Sequence, residues 1–189
     1  MLFNKNDGMF GTLLKKKIDA EKLANVFVNS IIEITDNSFD TIKEFIEDDP
    51  AFVLAPSINK ASAEKFLLIV TAGNLNYLSN HFEVQESLEI RNHIIRKFAN
   101  IYDVEQKKME ELLEQTSSFI SKVNHPSKNM LYGMSKALFH ELDLNQYQED
   151  YFKNMRTPNP LFLKRMDEIM SNFLWDWEQF FRKYKFQMN

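Results

Sequence analysis

The sequence predicts an all-α fold, a single-domain helical bundle or irregular array of seven to eight helices. Three observations predict it. Gly and Pro, which helix interiors tolerate poorly, number only 4 and 5 in 189 residues. Apolar residues recur along most of the chain at three- and four-residue spacing, the period of one helix face. Residues that cap or break helices punctuate those stretches at short intervals. With 44% apolar residues and 17 Phe, the chain has material for a core. A chain of this length can bury roughly 70% of its unfolded surface without staples.

Residues 1–18 are read as an arm, flexible or docked. Asp7-Gly8 is a turn signal there, between Leu2, Phe3, Met9 and Phe10. Asp19 has the character of an N-cap, and Leu23, Val26, Phe27, Ser30, Ile31 and Ile34 give a helix over 20–35. Ser38 opens a second helix, with Phe39, Ile42, Phe45 and Ile46 on one face, ending near Asp48-Asp49-Pro50. Residues 50–61 hold Pro56 and no helical period, so they are read as a packed loop. Ser62 caps the third helix, about 62–80, whose apolar residues Phe66 to Ile69, Leu75 and Tyr77 point all round its axis. That pattern marks a central buried helix.

A fourth helix covers 84–102 with Leu88, Ile95, Phe98 and Tyr102 as its seam. Asp103 and Gln106 have capping-box spacing for a fifth, whose stripe is Met109, Leu112, Leu113, Phe119, Ile120 and Val123. His125-Pro126 ends it. Ser127 caps a sixth, reaching Leu142, and Asn145 with Gln148 repeats the capping-box spacing for a short seventh. Asn159 as cap and Pro160 at the first position open the last helix, a long aromatic one over about 160–184.

Composition removes several function classes. A net charge of −4 is the wrong sign for a general nucleic-acid binder. Cys is absent, so disulfides, thiolate metal sites and cysteine catalysis are impossible. The longest dense apolar run, Phe66 to Val70, is far short of the ~20 residues a bilayer span needs. No secretory signal is read at the N-terminus, and a cytoplasmic location is expected.

Motifs that carry chemistry each lack a required residue. His81, His93, His125 and His140 are never four residues apart, and no Glu-x-x-His occurs, so di-iron and zinc-protease patterns fail. His140-Glu141 begins like the latter, but Leu144 stands where the second His belongs. Gly8, Gly11, Gly73 and Gly133 form neither a phosphate-binding loop nor a nucleophile elbow. Residues 66–90 contain no Lys or Arg, which excludes a helix-turn-helix reading of Leu68 to Phe82. No catalytic residue, metal ligand or cofactor is therefore expected. Glu89 and His93, one turn apart, are read as part of a solvated charged face.

Two features point to partner contact. On a continuous last helix, Trp175 and Phe186 fall opposite the apolar band of Phe162, Met166, Ile169, Phe173, Trp177, Phe180 and Tyr184. The stretch from Glu33 to Asp49 holds seven acids and one base, with Asp40, Glu44, Glu47 and Asp48 the candidate docking residues. The expectation is a non-enzymatic helical protein acting through protein–protein contact, most simply self-association. The alternative is a binding module for an apolar small molecule or lipid chain in an inter-helix pocket.

Overall fold

The computed structural model describes residues 15–188; the Asp7-Gly8 turn and the apolar residues around it lie outside them. Eight α-helices and one two-stranded sheet make up the regular structure of the described residues, with three single 3-10 turns between helices. The fold is all-α, as the Gly/Pro scarcity and the periodicity predict.

Strand β1 (Lys16–Ile18) leads directly into α1 (Ala20–Glu47). Asp19 caps α1, its carboxylate accepting from Lys22 N at 2.8 Å. The expected break near Asp36-Asn37-Ser38 does not occur. Phe27, Ile31, Thr35, Phe39, Ile42 and Ile46 are all buried and keep one helical phase through that point. A continuous apolar face overrides three weak helix formers.

The loop over residues 50–61 follows as expected. Phe52 forms an isolated bridge to Gln148, and Val53 N donates to Tyr147 O. Helix α2 (Ser62–Asn76) begins at Ser62 itself, so the cap falls one residue earlier than expected: Ala61 is the cap position and makes no side-chain bond. Phe66, Leu67, Ile69, Val70, Thr71, Ala72, Gly73, Asn74 and Leu75 are buried, so α2 is the central helix of the fold. It ends at Asn76, and a 3-10 turn (Leu78–Asn80) completes the predicted segment.

Helix α3 (Val84–Ile101) buries Ile90, Ile94, Ile95, Phe98 and Ala99. This corrects the expected seam, because Leu88 is 56% exposed and Tyr102 is also exposed. Helix α4 (Gln106–Asn124) is capped at Glu105, and Asp103 instead takes a left-handed turn conformation at φ 51°. Helix α5 (Met130–Glu141) is capped by Asn129 rather than Ser127, which is used on the Asn129 N–H just outside it. The Asn145/Gln148 pair does not box helix α6 (Asp150–Met155) either. Gln148 is buried, donating to Asn145 Oδ1 and Thr157 O and accepting from Asn159 N, so it ties together the turns flanking α6.

Asn159 and Pro160 open α7 as expected, but α7 (Pro160–Met170) is not the long helix predicted. A 3-10 turn (Ser171–Phe173) and an extended Leu174 interrupt it. Asp176 then caps α8 (Trp177–Lys183), accepting from Gln179 N at 2.8 Å. Asn74 of α2 fixes the break. Its Nδ2 donates to Phe173 O at 2.8 Å and its Oδ1 accepts from Trp175 N at 2.7 Å. The chain finishes in β2 (Tyr184–Phe186), parallel to β1 with Lys17 opposite Lys185. Three residues per strand are too short for an alternation signal, so this sheet was not legible in the sequence.

α1 packs against α2 and α3, and α2 also meets α4 and α5; α7 lies on α5. The buried side chains form one contiguous cluster from Ile18 to Phe180.

Candidate functional site

The broken C-terminal segment changes the geometry behind the Trp175 and Phe186 candidates. They do not share the back of one helix. Trp175 is half-buried in the linker before α8, with its ring 5.3 Å from Phe27 and 6.1 Å from Trp177. Phe186 lies on β2, edge-on to Phe82 at 5.3 Å. Of the Phe27–Trp175 pair, Phe27 is fully buried and Trp175 is the partly exposed ring.

The acidic candidates divide. Asp40, Glu44 and Asp48 are exposed on α1 and at its end. Glu47 has a structural task, accepting from Ile58 N at 2.8 Å. Asp49, 4% exposed, takes a bidentate ion pair from Arg165, with Nε at 2.8 Å. The acids nearest the loop thus hold that loop in place.

The histidines do not converge. His93 Nδ1 meets Arg96 Nη2 at 2.7 Å, so an arginine rather than Glu89 engages the ring. His140 lies edge-on to Phe139, and its neighbour Glu141 pairs with Lys65 at 3.1 Å. Among the described residues no group of three His, Asp or Glu side chains is placed to hold a metal ion.

A pocket of about 260 Å³ opens where α2, α3 and α4 meet. It exists because α3 turns away through Tyr102 and Asp103 before α4 comes back along α2. Buried Leu67, Phe98, Met109 and Leu113 line it, together with half-buried Leu68, Val104 and Leu112. Glu64, Tyr102 and Lys108 are the exposed members of the lining and form its rim. Burial raises the Tyr102 phenol above its ordinary range, and nearby Asp36 and Glu64 add to this. Thr71 is the remaining lining residue. It is 1% exposed, and its hydroxyl oxygen has no hydrogen-bond partner and no access to water.

The chain matches no family model, no curated protein and no solved structure.

Site chemistry therefore rests on the geometry alone. The pocket offers apolar walls, one threonine whose hydroxyl oxygen is itself closed off from solvent, and one charge of each sign outside. It holds no nucleophile–base pair and no cluster of carboxylates. Of its lining, Leu67, Leu68, Phe98, Tyr102, Met109, Leu112 and Leu113 are read in the sequence as core positions, and Glu64, Thr71, Val104 and Lys108 are not. The signal that could have found the site was Thr71 itself, a polar residue within an otherwise apolar face of the central helix. No helix among the described residues is long and apolar enough to cross a membrane.

Proposed function

We propose that the protein binds a small apolar molecule in the α2/α3/α4 pocket. The observation that carries this reading is an apolar pocket at a helix junction, floored by fully buried side chains and open at one side. Ligand sites are typically of this kind, mostly apolar with few polar groups. The size sets the scale of the ligand. An apolar cavity of about 150 Å³ holds benzene, so about 260 Å³ suits a bicyclic ring or a short chain. A full-length lipid chain is too large.

Thermal unfolding with a panel of small apolar probes tests the reading. A probe at about one hundred times its Kd stabilises by roughly 2.7 kcal/mol, or about 5–10 °C for a chain of this size. Leu112→Trp, which fills the pocket from its half-buried wall, is expected to abolish the shift. Absence of any shift, or a shift that survives Leu112→Trp, overturns the reading.

A second reading, contact with another protein or a second copy, is favoured by a different observation. Val53, Leu54, Tyr151, Met155 and Leu161 are exposed apolar residues on the segments that Gln148 links. Light scattering at tens of micromolar tests self-association: a dimer that Tyr151→Asp dissociates supports it, and a monomer at all concentrations removes it.

A further inference from the structure

Thr71 gives the pocket a chemical preference beyond shape, an inference that rests on the ligand-binding reading above. A hydroxyl shut away from water without a partner is costly. Helical threonines ordinarily spend the hydroxyl on the carbonyl three or four residues back. Thr116 on facing α4 does so, with Oγ1 donating to Leu112 O at 2.8 Å. Thr71 makes no such bond, although it is among the most buried residues of α2. The hydroxyl can donate or accept, and rotation about χ1 exchanges it with the methyl group on the same carbon.

The charged groups define what cannot enter. Glu64 and Lys108 lie at the exposed rim, and no charge lies among the buried lining residues Leu67, Thr71, Phe98, Met109 and Leu113. An ionised group carried to the floor would lose its water and find no counter-charge. A neutral polar atom beside Thr71 would instead relieve its unmade hydrogen bond once χ1 turns the hydroxyl toward the pocket.

We infer that the pocket selects neutral, mainly apolar molecules carrying one hydrogen-bonding atom at the end that enters first, and that Thr71 Oγ1 is the group that reads it. Alcohols, phenols, ketones and nitrogen or oxygen heterocycles belong to this class. Pure hydrocarbons bind without the added bond, and carboxylates are excluded.

Indene, benzofuran and indole test this, because they share one bicyclic shape and differ at one ring atom. One net hydrogen bond is about 1 kcal/mol, so indole or benzofuran should bind roughly fivefold tighter than indene. Indole-2-carboxylate should not bind. In Thr71→Val, which keeps the side-chain volume, the advantage over indene should vanish while indene binds at least as well as before. If no probe binds, the pocket reading itself fails. If indene equals both heterocycles in the native protein, or the preference survives in Thr71→Val, ligand binding stands and the role of Thr71 is overturned.

Discussion

Asn74 sits where an apolar helix meets the interrupted C-terminal segment. Its Nδ2 serves Val70 O and Phe173 O, and its Oδ1 takes the Trp175 N–H, all within the buried core. Leucine has the same branched skeleton, though it is bulkier, and none of these bonds. Asn74→Leu would leave the Phe173 carbonyl and the Trp175 N–H without partners. Each such group costs about 1–3 kcal/mol, so a loss of about 3 kcal/mol is expected. Urea unfolding at neutral pH measures it; an unchanged midpoint would show that the linker finds other partners. Thr71, one turn earlier, is the reverse case, a buried polar group that the fold leaves unpaired. Sequence spacing marks both as interruptions of an apolar run. Only their neighbours distinguish a satisfied amide from a free hydroxyl, because those neighbours lie about a hundred residues away for Asn74.

Among the elements, α2 was the most legible and the last helix the least. Apolar residues all round an axis have one outcome, burial, whatever the neighbours are. The long aromatic band from Phe162 to Tyr184 had two outcomes, one helix or two, since both keep the same residues on the core. The polar group that decides between them, Asn74, belongs to another element. Asp176 was the local signal overlooked, an N-cap residue within an otherwise helical pattern. Capping-box spacing misled twice, at Asp103 and Asn145, and Ser127 misled as a plain cap; Ser127 and Asn145 spend their side chains on turn hydrogen bonds, and Asp103 sits in a left-handed turn. The crossing of α2 and α5 depends on a close approach. A methyl group at Gly73 would run into the Met134 side chain, which is itself fully buried. Gly73→Ala is expected to cost about 2 kcal/mol through overpacking, despite the better helix propensity of alanine. The cost should shrink in a Met134→Ala background, and a double-mutant cycle reads that coupling; strict additivity would place the clash elsewhere.

At the scale of the whole molecule, acid response follows from groups in different parts of the fold. Burial lowers His81, which lies 5.6 Å from Trp177, with Glu178 opposing; burial and Lys136 lower His140. The folded state therefore takes up protons on these rings less readily than the unfolded chain. Their contribution to stability is present above the ordinary histidine range and is lost as pH falls through it. Asp167 acts in the opposite sense. Burial raises its carboxyl, opposed by the neighbouring Ser135 hydroxyl, and Oδ1 has no hydrogen-bond partner. Its contribution is complete below the usual carboxylate range and is lost as pH rises through the raised value. Asp167→Asn should stabilise the protein at neutral pH and steepen the acid limb of the profile, because the contribution that opposes the histidines is removed. Urea unfolding across about pH 4–8 checks this, since a parallel shift at every pH would mean that the carboxyl does not titrate differently on folding. The all-α architecture was readable at this scale because composition and period agree along the chain. The pocket was not, because a cavity is a mismatch between helices and leaves no pattern in any one of them.

The short sheet has a consequence for the order of synthesis. β1 and β2 lie side by side and point the same way, and Gln187 N reaches Ile18 O at 3.0 Å to extend the pairing. A chain emerging from the ribosome presents Lys16–Ile18 early, yet the strand that completes it comes after every helix. Ile18, buried in the finished fold, has no strand partner until Tyr184–Phe186 has been made. A product cut short anywhere before Tyr184 would hold an unpaired strand edge, one of the marks by which chaperones and proteases know unfinished chains. The pairing of β1 with β2 thus distinguishes chains that reach Phe186 from those cut short before Tyr184.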